Sequence, residues 1–248
     1  MGNTIDEGAT HKAGIIKPGS PVVIGPMEIK AEKVLVEEAM KTKSPVWRIN
    51  KDFSLKNGLY VDTEGLKLSN LSVPLKGPHQ MNNAALAIRS VLYVAEKLKV
   101  DIDETILCKG LSETFIPGRF EKITEYLYFD GAHNPASARA LVETIKENFP
   151  DTPIHFYIGM IKGKDAEKIL RIFEEISTNF TFVDFDDERA MSANALSKIS
   201  ESNNVSVTKD LIKYLSNTIS EKQVTIVSGS LYLLSGVRLQ AIEMFKII

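Results

Sequence analysis

Three polar segments of this chain lie where a short apolar run gives way to a helix-like stretch. Their residue types suit phosphate, ribose or metal binding. They are residues 130–135 (DGAHNP), 159–165 (GMIKGKD) and 228–232 (SGSLY). An aspartate at such a junction can hold a ribose hydroxyl or a metal ion, and a histidine can meet a phosphate beside the start of a helix. These junctions are therefore the strongest candidates for a ligand site.

The first of these segments has two compatible interpretations. Asn134 and Pro135 suit a helix start, because an asparagine side chain caps backbone N–H groups and proline fits the first helical position. Capping does not explain why Asp130 and His133 precede them. A binding role for Asp130 and His133 is therefore favoured beside the capping role.

Three further segments are ambiguous on their own. Arg119 follows a Pro-Gly pair and could reach a phosphate with its forked donors, although a solvent-exposed linker arginine is the stronger interpretation. Asn83, in residues 77–84 (GPHQMNNA), could face an adenine or simply belong to a helix start. Lys12 opens residues 12–19 (KAGIIKPG), which are typical of a helix end and a turn before a strand.

The segment 159–165 resembles a Walker-type phosphate loop without being one. That loop needs four residues between its glycines and a serine or threonine after its lysine. Here three residues separate Gly159 from Gly163, and Asp165 follows Lys164. No other stretch of the sequence matches the loop.

The pattern after residue 117 supplies elements that could bring the candidate residues together. Apolar runs alternate with amphipathic segments, which predicts a parallel sheet with right-handed crossovers and helices on both faces. The predicted strands are 126–129, 154–158, 180–185, 205–207 and 224–227, and the predicted helices are 134–148, 165–176, 192–199, 211–219 and 231–248. Ligands of such sheets bind at the carboxyl ends of the strands.

The chain before residue 117 mixes shorter elements. Glycines in the pairs Asn57-Gly58 and Glu64-Gly65 suit tight turns and predict a β-meander over residues 53–75. Further strands are predicted at 21–25 and 46–50, and helices at 28–41, 80–98 and 101–111. A domain boundary is expected near 114–118, which gives domains of residues 1–116 and 117–248.

Composition excludes several classes of protein. Thirty basic and thirty-two acidic residues give a net charge of −2, so nothing favours nucleic acid or an anionic membrane as a partner. The sequence has no long apolar run and no signal-peptide pattern at its start. The single cysteine, Cys108, excludes an internal disulfide and is expected to be a buried structural thiol in a helix.

Taken in order, eight segments resemble the folylpolyglutamate synthase/dihydrofolate synthase family within the Mur ligase superfamily. They are KAGIIKPG (12–19), PVV (21–23), GPHQMNNA (77–84), PGRFE (117–121), DGAHNP (130–135), GMIKGKD (159–165), ERA (188–190) and SGSLYLLSGVR (228–238). The resemblance implies an α/β fold. Residues 117–248 would form a Rossmann-like, mostly parallel sheet domain of the Mur ligase C-terminal type. Residues 1–116 would form the truncated tail of a central ATPase domain.

The resemblance also implies a cytoplasmic, ATP- and Mg²⁺-dependent ligase with folate and L-glutamate as substrates. Catalytic roles fall on Lys12 and His133, and Lys12, if carbamylated, would help to hold Mg²⁺. Asn83 would lie near the adenine and Arg119 would contact a phosphate. Asp130 and His133 would meet the nucleotide. Ser230 and Tyr232 would lie beside the site without an assigned role.

Departures from the family pattern leave alternatives open. The phosphate loop and the metal-binding residues of the central domain are not found, His11 stands where the family has glutamate, and Gly8 is expected to weaken the helix that carries Lys12. Activity would then need the missing N-terminal half or a homo-oligomer, and an exposed apolar patch on residues 1–116 would favour this interpretation. The alternatives are a non-catalytic module that binds nucleotide or glutamate, and another Mur-type amide ligase.

Overall fold

Two structural units make up the chain in the computed structural model, which describes residues 5–245. The first unit contains residues 5–74 and 79–114, and the second contains residues 75–78 and 115–245. The assignment of residues 1–116 and 117–248 to two particular ligase domains stays a prediction.

The first unit combines a short parallel strand pair, a meander and four helices. Its elements are α1 (Ile5–Ala13), β1 (Val22–Ile24), α2 (Ile29–Lys41), β2 (Val46–Arg48), β3 (Phe53–Lys56), β4 (Leu59–Asp62), β5 (Lys67–Leu68), α3 (His79–Leu98) and α4 (Glu104–Ser112). Strands β3, β4 and β5 are antiparallel, as the sequence predicts. The β3–β4 turn needs positive φ at Asn57 (49°) and Gly58 (74°), and asparagine and glycine adopt this conformation most readily.

A buried arginine ties helix α3 to the meander. The guanidinium of Arg89 lies 3.3 Å from the centre of the Trp47 ring and pairs with Asp62 and Glu64. The Asp62 carboxylate is fully buried and also accepts the backbone N–H groups of Glu64 and Leu66. The Asp62 side chain therefore fixes the β4–β5 turn through these N–H groups and the position of α3 through Arg89.

Two expectations about the first unit are modified by the structure. Cys108 is half-buried rather than buried, with its Sγ atom 3.8 Å from the carbonyl oxygen of Ser69. Helix α1 runs through Gly8 despite the low helix propensity of glycine. Val94, Leu98 and Val100 are each more than half exposed.

The second unit is a six-stranded sheet with helices on both faces. Its elements are β6 (Glu121–Thr124), β7 (Leu127–Phe129), α5 (Pro135–Asn148), β8 (Ile154–Ile158), α6 (Ala166–Glu174), β9 (Asn179–Val183), α7 (Ala193–Ile199), β10 (Asn204–Thr208), α8 (Leu211–Thr218), β11 (Val224–Ser228) and α9 (Leu231–Met244). The strand order is β10-β9-β8-β11-β7-β6, and every pair is parallel except β6 with β7. Thus the predicted mostly parallel α/β fold is confirmed.

Two apolar clusters hold the helices against this sheet. Ile169 and Phe173 of α6 pack with Leu141 of α5 and Leu196 of α7 on one face. Leu215 of α8 and Leu233 of α9 belong to the cluster on the other face. All five predicted strand–helix pairs are present, with ends shifted by at most two residues within the described range.

Strand β6 was not predicted. Its residues 121–124 begin with the charged pair Glu121-Lys122, and a tight turn without glycine or asparagine joins them to β7. Glu121 and Ile123 are nevertheless buried and Lys122 is exposed, which is the alternation of an edge strand.

No helix within residues 5–245 is both long and apolar enough to cross a membrane.

Candidate functional site

The three polar junctions lie side by side at one edge of the sheet. They follow β7, β8 and β11, and β11 is hydrogen-bonded to both of the other strands. Because the three strands are parallel, their carboxyl ends meet at the same edge. A cavity of about 550 Å³ opens there, lined by His133, Ile161, Lys164, Ser230, Leu231, Tyr232 and Ser235. All three junctions contribute to this lining, which we call the edge pocket.

Asp130 lies at the end of β7 with both carboxylate oxygens already engaged. One oxygen accepts the N–H of Phe120 at 2.8 Å and the other accepts the N–H of Ala132 at 2.9 Å. Burial raises the pKa of the carboxyl group above its usual range, and these two hydrogen bonds oppose that rise. Asp130 therefore braces the neighbouring turn, a role that the sequence does not reveal. Its contact with a nucleotide stays a prediction.

His133 faces the edge pocket with a defined tautomer. Its Nδ1 atom lies 2.7 Å from the carbonyl oxygen of Gly131, and a carbonyl oxygen can only accept, so Nδ1 carries the hydrogen. The Nε2 atom is left as the ring atom that can meet a ligand. Asn134 caps helix α5 in a reciprocal capping box with Ser137, as predicted.

Arg119 lies on a turn that is tied to the Asp130 loop. The turn has positive φ at Gly118 (68°) and at Phe120 (45°). The N–H of Phe120 donates to Asp130, and the carbonyl oxygen of Gly118 accepts the N–H of Gly131 at 2.8 Å. The structure thus brings the turn that carries Arg119 against the loop that carries Asp130 and His133.

Lys164 is a pocket residue that sequence reasoning missed. The segment 159–165 is not a phosphate loop: Ile161 forms a β-bridge with Ala190, and the N–H of Lys162 donates to the carbonyl oxygen of Arg189 at 2.7 Å. Lys164 nevertheless lines the edge pocket together with His133. Because the segment departs from the phosphate-loop pattern, its sequence does not indicate that Lys164 faces a ligand site.

Arg189 and Tyr232 form a second feature that the sequence did not indicate. The guanidinium of Arg189 lies 4.2 Å from the centre of the Tyr232 ring and donates to the Tyr232 hydroxyl at 3.4 Å. Asp187 holds the other side of the guanidinium through hydrogen bonds of 2.9 and 2.7 Å, and this pairing lowers the pKa of Asp187 to about 2. The contact fixes Tyr232 as a wall of the edge pocket.

Lys12 and Asn83 both lie in the first unit. Lys12 is exposed in the last turn of α1 and lines a groove of about 430 Å³ with His11, Met27 and Leu35 among its neighbours. Asn83 is exposed in the first turns of α3, where its amide nitrogen donates to the Gln80 side chain at 3.0 Å. Both positions leave these side chains accessible to a ligand.

The residues around Lys12 do not form a magnesium site by themselves. Among the residues described, no carboxylate lines the groove that contains Lys12. Across residues 7–245, no group of three or more His, Cys, Asp or Glu side chains is placed to hold a metal ion. Mg²⁺ prefers oxygen ligands such as carboxylates, so the described residues do not match the ion that the resemblance implies.

Comparisons with known proteins agree with this architecture. Residues 119–241 match the sequence model of the family described as dihydrofolate synthetase, C-terminal domain. The dihydrofolate synthase/folylpolyglutamate synthase of Bacillus subtilis is 31% identical over 257 residues, which cover 96% of this chain and 58% of that protein. The folylpolyglutamate synthase of Lacticaseibacillus casei is 31% identical over 250 residues, with the same coverage.

Solved structures show the same similarity. The folylpolyglutamate synthase of Thermotoga maritima superposes with a TM-score of 0.78 at 30% identity and covers 100% of this chain and 61% of its own. The Mycobacterium tuberculosis enzyme complexed with ADP gives a TM-score of 0.81 at 24% identity, which supports the fold. The architecture is thus that of a Mur-ligase-type α/β protein. Residues 119–241 belong to the dihydrofolate synthetase C-terminal domain family, and the whole chain is similar to folylpolyglutamate and dihydrofolate synthases, of which it spans about three fifths.

Proposed function

We propose that this chain supplies part of the site of an ATP-dependent ligase that joins L-glutamate to a folate or to dihydropteroate. The observation that carries the proposal is the edge pocket, where Lys164 and His133 line one cavity at the carboxyl edge of a parallel sheet. A lysine ammonium suits a phosphate or a carboxylate, the two anionic groups that this reaction handles. The Nε2 atom of a ring protonated at Nδ1 accepts a hydrogen bond, so His133 would meet a donor group of the ligand.

The chemistry explains why cationic groups are needed. ATP transfers its terminal phosphoryl group to a folate carboxylate, which gives an acyl phosphate and ADP. The glutamate amine then attacks the acyl carbon, the amide bond forms, phosphate leaves and the amine loses a proton. Charge accumulates on phosphate oxygens in the first step and on the tetrahedral intermediate in the second, so placed donors lower both barriers.

The site residues take the roles that the family resemblance implies, except Lys164, whose role is inferred from the edge pocket. Arg119, on the braced turn, contacts a nucleotide phosphate, and Asp130 and His133 meet the nucleotide from the loop after β7. Lys164 neutralises an anion in the edge pocket. Lys12 and Asn83 serve the reaction from the first unit, Asn83 beside the adenine.

A binding module without turnover is the second candidate. The chain has no phosphate loop of the Walker type, and it spans 58% of each of the two curated relatives described above. Such a chain could bind nucleotide or glutamate in the edge pocket without completing the reaction. Another Mur-type amide ligase is disfavoured, because the matching relatives are folate enzymes by name.

The deciding experiment measures Mg-ADP binding and ADP release from Mg-ATP by the purified chain. Release is assayed with and without tetrahydrofolate and glutamate. A second series adds the amino-terminal portion of the Bacillus subtilis relative. We expect the chain to bind Mg-ADP and to release ADP in a folate- and glutamate-dependent way only when that portion is present. Binding without release in either series would favour the module, and absence of Mg-ADP binding in both series would contradict the ligase and the nucleotide-binding module.

A further inference from the structure

A buried ion pair contacts the turn that carries Arg119. Glu121, on β6, has a side chain only 4% exposed and receives a forked pair of hydrogen bonds from Arg238 of α9. The distances are 2.9 Å from Nε to each carboxylate oxygen and 2.7 Å from the second guanidinium nitrogen to Oε1. A bidentate pair of this kind fixes both partners in angle as well as in distance.

The same carboxylate holds the turn itself. The backbone N–H of Gly118 donates to Oε2 of Glu121 at 2.8 Å. On its other side the turn is held by Asp130, which accepts the N–H of Phe120, and by the N–H of Gly131, which donates to Gly118. The carboxylates of Glu121 and Asp130 therefore hold Gly118 and Phe120, the residues on either side of Arg119.

These hydrogen bonds are needed because the backbone conformation of the turn is unfavourable in free energy. Phe120 has φ of 45°, a left-handed conformation that a bulky side chain adopts rarely and at a cost. Gly118 packs so closely on α9 that an added Cβ would lie 3.0 Å from a methyl group of Leu234. Such a conformation persists only where the surroundings over-determine it, and the direction of Arg119 depends on it.

We propose that Glu121 and Arg238 are a positioning pair, which fixes the Gly118–Phe120 turn and thereby orients Arg119 toward a nucleotide phosphate. The inference rests on the proposed nucleotide role of Arg119. The competing explanation is an ion pair that stabilises only the packing of β6 on α9. The two explanations differ in their prediction for nucleotide affinity: only the positioning role makes the effect of losing the ion pair depend on Arg119.

The test combines nucleotide affinity with amide exchange. R238M removes the fork, R238K keeps the charge without the fork geometry, and R119A removes the proposed phosphate contact. R139M is the matched control, because Arg139 forms an ion pair with Glu175 on the exposed surface of α5 and α6. Mg-ADP dissociation constants are measured for each variant and for R119A/R238M. Hydrogen exchange of the Gly118 amide is followed without nucleotide.

The positioning role predicts a specific pattern. R238M and R119A each raise the dissociation constant about tenfold, the double variant is no weaker than R119A, R238K is intermediate and R139M matches wild type. The Gly118 amide exchanges at least about tenfold faster in R238M and R238K than in R139M, because the acceptor Glu121 is no longer held. Additive losses of affinity would contradict the positioning role, since Arg238 would then act independently of Arg119.

Failure of the proposed function gives a different result. If wild type binds no Mg-ADP, or R119A binds as wild type does, then the nucleotide role of this chain or of Arg119 is wrong. The positioning pair is then decided by exchange alone: an unchanged Gly118 rate in both Arg238 variants would overturn it. Because R238K retains a cation beside Glu121, it also decides the case if R238M does not fold.

Discussion

A Cβ atom on Gly229 would lie 2.6 Å from the carbonyl oxygen of Gly159, so β11 and β8 end in closer contact than any side chain allows. Gly229 also has φ of 99°, a conformation that residues with a Cβ rarely adopt. Its N–H donates to the carbonyl oxygen of Ala132 at 3.0 Å, which joins the third junction to the other two. The strand ends beside the edge pocket are thus joined through backbone atoms.

Replacing Gly229 by alanine is expected to destabilise the protein by about 3 kcal/mol, because backbone strain and a steric clash add together. Gly236 is the matched control: it lies exposed in α9, and an added Cβ would meet nothing within 4 Å. G236A is expected to stabilise by about 0.5–1 kcal/mol through helix propensity. Urea unfolding of both variants measures the difference, and a G229A value within about 0.5 kcal/mol of wild type would show that the strands can separate.

His155 is expected to make the fold sensitive to acid. Burial lowers its pKa from 6.5 to about 4, and its hydrogen-bond neighbours Thr181 and Gln223 are uncharged. Between these two pH values the unfolded chain takes up a proton that the folded chain excludes. The stabilisation is therefore complete above pH 6.5 and is lost as the pH falls toward 4, by up to about 3 kcal/mol.

The matching variant is H155Q, which keeps a side chain capable of hydrogen bonding to Thr181 but does not titrate. Free energies of unfolding are measured at intervals between pH 4 and pH 7.5 for both proteins. The difference between them removes the contribution of carboxylates that are common to both. We expect wild type to lose more stability than H155Q on acidification, and parallel curves would refute the assignment to His155.

Removal of the buried partner of Arg89 is expected to be far more costly than removal of the exposed one. The side chain of Asp62 is 0% exposed and that of Glu64 is 62% exposed, although both pair with the same guanidinium. D62A leaves a buried cation and two backbone N–H groups without their acceptor, at a cost of about 3–5 kcal/mol. E64A is expected to cost less than about 1 kcal/mol. Equal losses in thermal or urea unfolding would mean that burial is not the deciding variable.

Lys164 is expected to contribute to anion binding where its neighbour Lys162 does not. Lys164 lines the edge pocket, whereas the Lys162 ammonium is exposed and lies 3.3 Å from the carbonyl oxygen of Glu188. K164M should raise the dissociation constant for Mg-ADP about tenfold, the loss of one hydrogen bond to a charged group. K162M should bind as wild type does. Calorimetric titration of the two variants checks this, and a loss in K162M alone would move the anion to another surface.

Local patterns were sufficient to predict most of the second unit. Apolar runs such as residues 154–158 are buried strands, and the pair Asn134-Pro135 starts helix α5 as its chemistry requires. Because parallel strands end at one edge, the three polar junctions could be located before their contacts were known.

What the sequence could not show depends on contacts between distant residues. Glu121 meets Arg238 across 117 positions, and Arg189 meets Tyr232 across 43. The role of Asp130 in bracing the turn cannot be predicted from the sequence, because nothing local indicates that Phe120 turns its N–H toward it. Strand β6 escaped detection for a related reason: its pairing with β7, rather than its composition, makes it a strand.

The strand order has a consequence for how the second unit forms. Among the described residues strand β11 comes last in sequence, yet it lies between β7 and β8 in the sheet. Before residues 224–228 leave the ribosome, β6 can pair with β7, and β9 can pair with both β8 and β10. No strand yet joins the β6–β7 pair to the other three strands. Closing the sheet requires contacts across about a hundred residues, and such non-local pairing is slow. A nascent chain that stalls before Val224 therefore exposes two unpaired inner strand edges, which makes this stage of synthesis prone to aggregation.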